Sequence, residues 1–268
     1  MSGTGSPNTS STAVRLALAA FAVVSVLALL APLAPLLSPD LRAGQPLSPS
    51  LEGILLGTDE VGRDLLSRLL AGFTKLWLPS VSVVAAAAAA GSVIGAVAGI
   101  APGWLGRIAH APINLFRALP PPVMALAAVA VYGPGLSTLT IALCVASWPW
   151  YARLVRGEIR LARQSGYAEA VRLTAPRRMF YLLPFAFPRL IVVATYDIGN
   201  TILMLALLSY LGLGDPVPAA ELGNITHSGL TYLREFPRVA ALPIAGVAGL
   251  VLMANIAGAA FRRRYIRT

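Results

Sequence analysis

Six apolar runs, set apart by short polar or basic stretches, organise the chain. A helix needs about 20 apolar residues to cross a bilayer. The first run, Leu16–Leu37, meets that length behind a polar Ser/Thr/Gly-rich tail over 1–12. It lacks the small-residue cleavage site of a signal peptide, so residues 13–37 read as a retained first helix. The second run is Leu76–Ala101, with seven small residues from Ala85 to Gly91 and then Gly95 and Gly99. Gly91, Gly95 and Gly99 recur every fourth residue, a small-residue stripe that lets another helix approach closely. The alanines also fit a compositional bias, visible in 20 arginines against one lysine, so packing and composition both stand as readings. The third run is Leu115–Tyr132, with Pro120–Pro122 near its start. The turn Gly133-Pro134-Gly135 separates it from the fourth, Leu136 to about Trp150. The fifth, between Leu182 and Leu213, is expected to be interrupted at Gly199. The sixth, Val239–Phe261, is stopped by Arg262-Arg263-Arg264. The pattern therefore predicts an all-α, polytopic membrane bundle of six transmembrane helices.

A seventh periodic stretch, Thr58–Phe73, is shorter. Val61, Leu65, Leu66, Leu69, Leu70 and Phe73 fall on one helical face, with Arg63, Asp64 and Arg68 largely off it. Thr58 or Asp59 before Glu60 supplies a capping signal. This predicts an amphipathic helix at a membrane surface, inside a loop over 38–75. Its apolar face suits packing on the bundle or the shaping of an entrance.

Composition agrees with the pattern. Hydrophobic residues make up 57% of the 268, charged residues 12%, and mean hydropathy is +0.73. A disordered chain is excluded and a soluble enzyme disfavoured. The net charge of +10 is read through topology. With the N-terminus inside, 14 arginines fall on the inner side and 6 basic residues outside, with Arg189 at a border. That asymmetry predicts cytoplasmic N- and C-termini and a cytoplasmic loop over 151–181, with a basic tail over 262–268. The remaining helices and their connections then span 76–261. Basic loops with few interleaved aromatics fit topology better than nucleic-acid binding.

Several chemistries lack their signatures. There is no G-x-x-x-x-G-K-[ST], and the single lysine, Lys75, follows Phe73-Thr74. H-E-x-x-H and G-x-S-x-G are absent. Two histidines, His110 and His227, argue against a metal cage, and the lone Cys144 excludes an intrachain disulfide. No catalytic residue, metal site or cofactor of its own is expected.

The segment Leu56-Gly57-Thr58-Asp59-Glu60-Val61-Gly62-Arg63-Asp64-Leu65-Leu66-Ser67-Arg68-Leu69-Leu70 resembles the LGTDxxGRDxxSRLL segment of the C-type membrane subunits of dipeptide, oligopeptide and nickel ABC importers. Further matches follow in order. Gly103-Trp104, Ala118-Leu119-Pro120 and Gly133-Pro134-Gly135-Leu136 resemble the family's Gly-Trp, Ala-Phe-Pro and GPGL. Trp148–Arg156 resembles W-P-x-YARLVR. Leu208–Gly214 resembles LSFLGLG, and Gly223-Asn224 the WGN element. The resemblance covers about residues 51–261. It implies a type I importer permease fold, one half of a membrane heterodimer with a second permease subunit. Two ATP-binding subunits, which would hold ATP and Mg, and an extracytoplasmic substrate-binding protein complete the implied assembly in a bacterial plasma membrane.

The resemblance also implies an ATPase-coupling segment. Tyr167-Ala168-Glu169-Ala170-Val171-Arg172 matches the family's EAA stretch, whose short helix docks on an ATPase subunit. Ala168 and Ala170 permit close approach, Tyr167 can fill a pocket, and Glu169 can pair with a base or cap a helix. Arg172 completes the stretch. Ala175 stands where the family has glycine. Glu169 to Pro184 is 15 positions. That is about four fewer than the family spacing, or roughly 6 Å of helix. Docking with a modified partner surface, or altered coupling, follows.

Polar groups inside spans are costly and mark functional positions. Asp197, near Tyr196 and Asn200, suits a water-filled path where it would attract a cationic group such as a peptide amino terminus. It equally suits pairing with a partner subunit. Asn114 and Leu205 stand where relatives often carry acids, and Arg117 where they are apolar. The expected path residues are thus Asp197, Asn200, Asn114 and Arg117. Asp59, Arg63, Asp64 and Asn224 are the expected contacts at the external gate, with the loop over 215–238. Peptides are the leading cargo and nickel or a metal chelate the second. A self-sufficient secondary transporter would instead show inverted repeats, and none stands out.

Overall fold

The computed structural model describes residues 19, 21–23, 25–26, 39–49, 54–101, 103–165 and 181–265. The described residues form seven helices of four residues or more in one chain order. They are α1 (Leu65–Ile100), α2 (Gly103–Arg117), α3 (Pro121–Tyr132), α4 (Leu136–Ala162), α5 (Leu183–Tyr210), α6 (Leu222–Leu230) and α7 (Pro237–Tyr265). No strand longer than an isolated bridge occurs among them. The predicted first span falls almost wholly outside the described residues. Within it, Phe21 packs its ring against Trp77 at 5.2 Å.

The predicted surface helix over 58–73 is not separate. Gly57 and Gly62, both at positive φ, fold 57–64 into tight turns, and Thr58 bridges to Asp64. Asp64 then caps the helix by accepting the Ser67 amide at 2.9 Å. The cap is Asp64, not Thr58 or Asp59, because the positive-φ glycines delay the helix by two turns of loop. From there α1 runs 36 residues without a break into the predicted second span, through Pro79.

The small-residue stripe of α1 is a packing surface. A β-carbon on Gly91 would sit 2.5 Å from the Trp148 carbonyl oxygen and 2.6 Å from Tyr151 Cβ. One on Gly95 would collide with the Ala152 carbonyl, and one on Gly99 would stand 3.1 Å from Ile159. The interface of α1 with α4 is the largest in the bundle. In lipid the helices gain little from the hydrophobic effect, so close backbone approach supplies the packing. The main core gathers Trp77, Tyr151, Leu139, Ile202, Leu205 and Leu250 from α1, α4, α5 and α7.

Three expectations change. The third span is broken: residues His110–Arg117 of α2 and helix α3 meet at 81° across Ala118–Pro120. At 12 residues, or about 18 Å, α3 alone cannot cross a hydrocarbon core of about 30 Å. Proline removes a helix donor and disfavours helical geometry in the residue before it, and Pro120-Pro121 sits at the break. The fourth helix continues past Trp150 to Ala162. The fifth passes through Gly199 uninterrupted, since a lone glycine in a long apolar helix costs only about 1 kcal/mol against alanine; a β-carbon there would meet the Val251 carbonyl of α7 at an ordinary contact distance of 3.5 Å. By length and hydropathy, three helices among the described residues are long and apolar enough to cross a membrane, α1, α5 and α7. The bent pair makes a fourth if taken as one span. By that measure the described residues account for three or four of the predicted six; the first span lies almost wholly outside them, and α4 is long enough but does not meet the measure.

Candidate functional site

The two ends of the bundle differ. One end gathers the loop over 39–64, the α3–α4 turn, the segment from Leu211 to Pro237 and helix α6. Asp59 organises it. Its Oδ1 accepts the amides of Val61 and Arg63 at 2.9 Å, and its Oδ2 accepts Arg63 Nε at 2.6 Å. Arg68 Nε forms an ion pair with the same oxygen at 3.3 Å, without hydrogen-bond alignment. Arg68 and Arg63 each donate to the Pro218 carbonyl, at 3.0 and 3.4 Å. Asp59 is 1% exposed and both arginines 4%. Asp59, Arg63 and Asp64 thus turn inward, away from the surface where a partner would touch them. Asn224 is half-buried on α6.

A second network at this end was not anticipated from sequence. Lys75 Nζ pairs with Asp215 Oδ2 at 3.3 Å, and Asp215 Oδ1 accepts the Leu136 amide at 2.8 Å. The Asp215 amide donates to Glu221 Oε1 at 2.9 Å, and Ser209 donates to Glu221 Oε2. Burial works against the Asp215 charge, but the Leu136 amide and Lys75 outweigh it and hold its carboxyl below the usual range. Burial pushes the Glu221 carboxyl up, against the Ser209 hydroxyl and the Asp215 amide. The Gly212-Leu213-Gly214-Asp215-Pro216 turn was the available signal, because an Asp after two glycines can return to cap a neighbouring helix start.

The opposite end is basic. Arg163 donates to the Gly99 carbonyl at 3.0 Å, tying the ends of α4 and α1. Leu182 and Ala186 of the α5 start pack with Val155 and Ile159. The predicted coupling residues Tyr167, Ala168, Glu169, Ala170 and Arg172 lie outside the described residues.

Between the ends, the break of the third span opens a cleft of about 410 Å³, lined by Arg117, Pro120, Trp150, Asp197 and Asn200 among others. Trp150 lies 14 residues from the α4 start and Asp197 lies 13 from the α5 end, about 20 Å of helix in each case. The cleft is therefore at membrane depth. Tyr151 donates to Asp197 Oδ2 at 2.6 Å, from a side chain buried in the core. Asp197 thus has a partner within its own chain. Arg117 lies 5.5 Å above the Trp150 ring. No carboxylate lies within 4 Å of Arg117 among the described residues. Its place in the last turn of α2 favours a cation by about 0.3–1 kcal/mol. An arginine at helix centre in a bilayer costs about 2.5–3.5 kcal/mol, so the helix dipole does not account for it and a hydrated cleft does. Irregular backbone at membrane depth is likewise tolerated where it lines a cavity. Arg117, Asp197 and Asn200 thus come together as expected, while Asn114 stands exposed one turn before Arg117 and is not part of the lining. A second cleft of about 510 Å³ continues toward the basic end, sharing Arg117 and Trp150 and adding Arg153, Glu158 and Arg189.

Comparison with known proteins fits this architecture. Residues 91–267 match the family described as "Binding-protein-dependent transport system inner membrane component". The chain is 33% identical over 270 residues to the probable D,D-dipeptide transport system permease protein DdpC of Escherichia coli K12, covering 96% of this chain and 87% of that one. It is 37% identical over 212 residues to the di/tripeptide transport system permease protein DppC of Pseudomonas aeruginosa, covering 78% and 70%. It is 34% identical over 212 residues to the nickel transport system permease protein NikC of E. coli K12, covering 77% and 76%. The fold is similar to a chain of the MetNI methionine ABC transporter in an inward-facing conformation, with TM-score 0.62 and 23% identity over 76% of this chain and 98% of that one. The chain is a multi-pass membrane protein, and it belongs to the family of membrane permease subunits of binding-protein-dependent ABC importers.

Proposed function

We propose that this chain is the non-catalytic half of a translocation path for short peptides. The observation that carries this reading is the broken third span, whose Arg117–Pro121 corner opens a charged cleft beside Asp197 and Asn200 at membrane depth. A scaffold helix has no need of such a corner, whereas a path requires polar groups and irregular backbone that face water. A second permease subunit closes the path. Two ATPase subunits hold ATP and Mg and drive alternating access, and a binding protein delivers the cargo. The loop-rich end faces outward, the basic end faces the cytoplasm with both termini, and the membrane is the bacterial plasma membrane. The segment Tyr167-Ala168-Glu169-Ala170-Val171-Arg172, between the ends of α4 and α5, docks on an ATPase subunit and moves both helices as a lever. Peptides are supported by the two relatives whose names specify dipeptides or tripeptides; nickel is the second cargo, on the third.

The test is uptake into proteoliposomes by the complete complex, with labelled dipeptides and nickel offered in parallel. ATP-dependent dipeptide import that Glu169→Lys abolishes, with the complex still assembled, supports the reading. Import without ATP, or normal import in the Glu169→Lys complex, rejects it.

A further inference from the structure

We propose that Arg117 is the contact for a cargo carboxylate in this half of the path, so that the molecule admitted carries a free carboxylate, as the C-terminus of a short peptide does. The proposal rests on the transport reading above. Arg117 alone among the cations lines both clefts, the one at membrane depth and the one leading to the basic end. It therefore stands where cargo passes from one to the other. Its contact with Trp150 at 5.5 Å holds the guanidinium in place and uses none of its five N–H donors. Those donors form a planar fork that matches a carboxylate two-to-two.

The surrounding charges agree. In the lower cleft Glu158 is already paired with Arg189 at 2.9 Å, while Arg153 has no carboxylate within 4 Å among the described residues. The lower cleft thus carries a basic surplus, with Arg117 and Arg153 against no unpaired carboxylate, which attracts an anionic group and repels a bare divalent cation. Neither lining contains a histidine or cysteine, the ligands that a nickel ion prefers over carboxylate alone. Asp197, across the upper cleft, is held by the Tyr151 hydroxyl at 2.6 Å and by the Asn200 side chain, and it faces the cleft with no cation paired to it among the described residues. A cation site and an anion site in one cleft suit a zwitterion.

The experiment uses the complete complex in proteoliposomes, with labelled dialanine at saturating loaded binding protein and nickel as a separate cargo. Arg117→Gln is expected to lower dialanine import about tenfold or more, and Arg117→Lys, which keeps the charge but not the two-to-two fork, to recover only part of that loss. Subunit composition is read on the same samples and should match the wild-type complex. Wild-type import by Arg117→Gln overturns the proposal, as does Arg117→Lys no better than Arg117→Gln. Loss of assembly in Arg117→Gln also overturns it, because the arginine then serves subunit contact. Wild-type import of nickel but not dialanine overturns the proposal and leaves the transport reading standing. ATP-driven import of neither removes that reading and the proposal with it.

Discussion

Asp59 and Asp197 are both carboxylates inside an apolar protein, and their surroundings differ in kind. Asp59 is 1% exposed, accepts two backbone amides and holds Arg63 and Arg68 against the Pro218 carbonyl. Glu60 and Asp40, each 3.4 Å from one of these arginines, complete the charge pairing around Asp59. Asp197 is held by Tyr151 and Asn200 and faces a cleft, with Arg117 in the same cleft and no ion pair between them. The first arrangement fixes a loop to the end of the bundle. The second leaves charge unspent where a solute can reach it. Burial with complete pairing marks scaffold, and charge on a cleft wall without an internal partner marks function.

The comparison is broken most severely at Asp59. Replacing it with alanine removes the nearest carboxylate from two buried guanidinium groups, leaving Arg63 only Glu60 and Arg68 only Asp40, each at 3.4 Å, a cost of up to about 3–5 kcal/mol. The expected outcome is loss of most assembled complex from the membrane, read by yield and by thermal unfolding in detergent. An unaltered melting temperature would place the knot among dispensable contacts. Next in size is Gly95→Leu. Its side chain meets the Ala152 carbonyl, forcing α1 from α4 at about 1–3 kcal/mol. The same change at Gly249, which has nothing within 4 Å of a β-carbon, should be nearly silent in the same melt.

A smaller effect on stability, and a larger one on transport, is expected at the cleft. Tyr151→Phe removes one hydrogen bond, worth about 0.5–1.5 kcal/mol. It frees Asp197 to adopt other positions, so dialanine import should fall by more than the melting temperature predicts. Asp197→Asn should change the cargo concentration dependence with little change in assembly. If both variants lost stability and import in proportion, Asp197 would belong with Asp59 as scaffold.

The contrast between these two regions also explains what could be read from sequence. The Leu56–Leu70 segment was visible as a block, but its inward fold was not. The positive-φ turns at Gly57 and Gly62 bring Asp59 back onto Arg63 and Arg68, and a helical wheel drawn from Thr58 places those arginines on the wrong surface. The Gly91, Gly95 and Gly99 stripe was legible, because its period alone implies one face. The same residue type misled at Gly199, where a lone glycine is carried inside a long apolar helix without ending it. The corner at Pro120 sits inside a continuous apolar run, so hydropathy passes over it, although Pro120–Pro122 was in plain view. Arg117, Asp197 and Asn200 were recognisable as polar residues out of place. The partner of Asp197 was not, since Tyr151 lies 46 positions away, just past the expected end of the fourth span, in what reads as a cytoplasmic loop.

The finest test concerns the network of Asp215 and Glu221, which resembles the Asp59 knot in being paired but carries opposed pH responses. Asp215 titrates below its ordinary value, so its contribution to stability is present above that value and is lost as pH falls through the lowered one. Glu221 titrates above its ordinary value of 4.5. Its contribution is present in full below 4.5 and is lost as pH rises through the raised value. Glu221→Gln keeps an acceptor for the Asp215 amide and removes only the charge. The wild-type melting temperature minus that of the variant should therefore fall as pH rises from 4.5, then level once Glu221 is fully ionised. Lys75→Met acts in the other direction, because it withdraws the cation that favours the Asp215 charge. Its melting temperature relative to wild type should be lowest at neutral pH and should approach wild type as Asp215 is protonated. A pH-independent gap in both variants would mean that hydrogen bonding, rather than charge, holds this end of the bundle together.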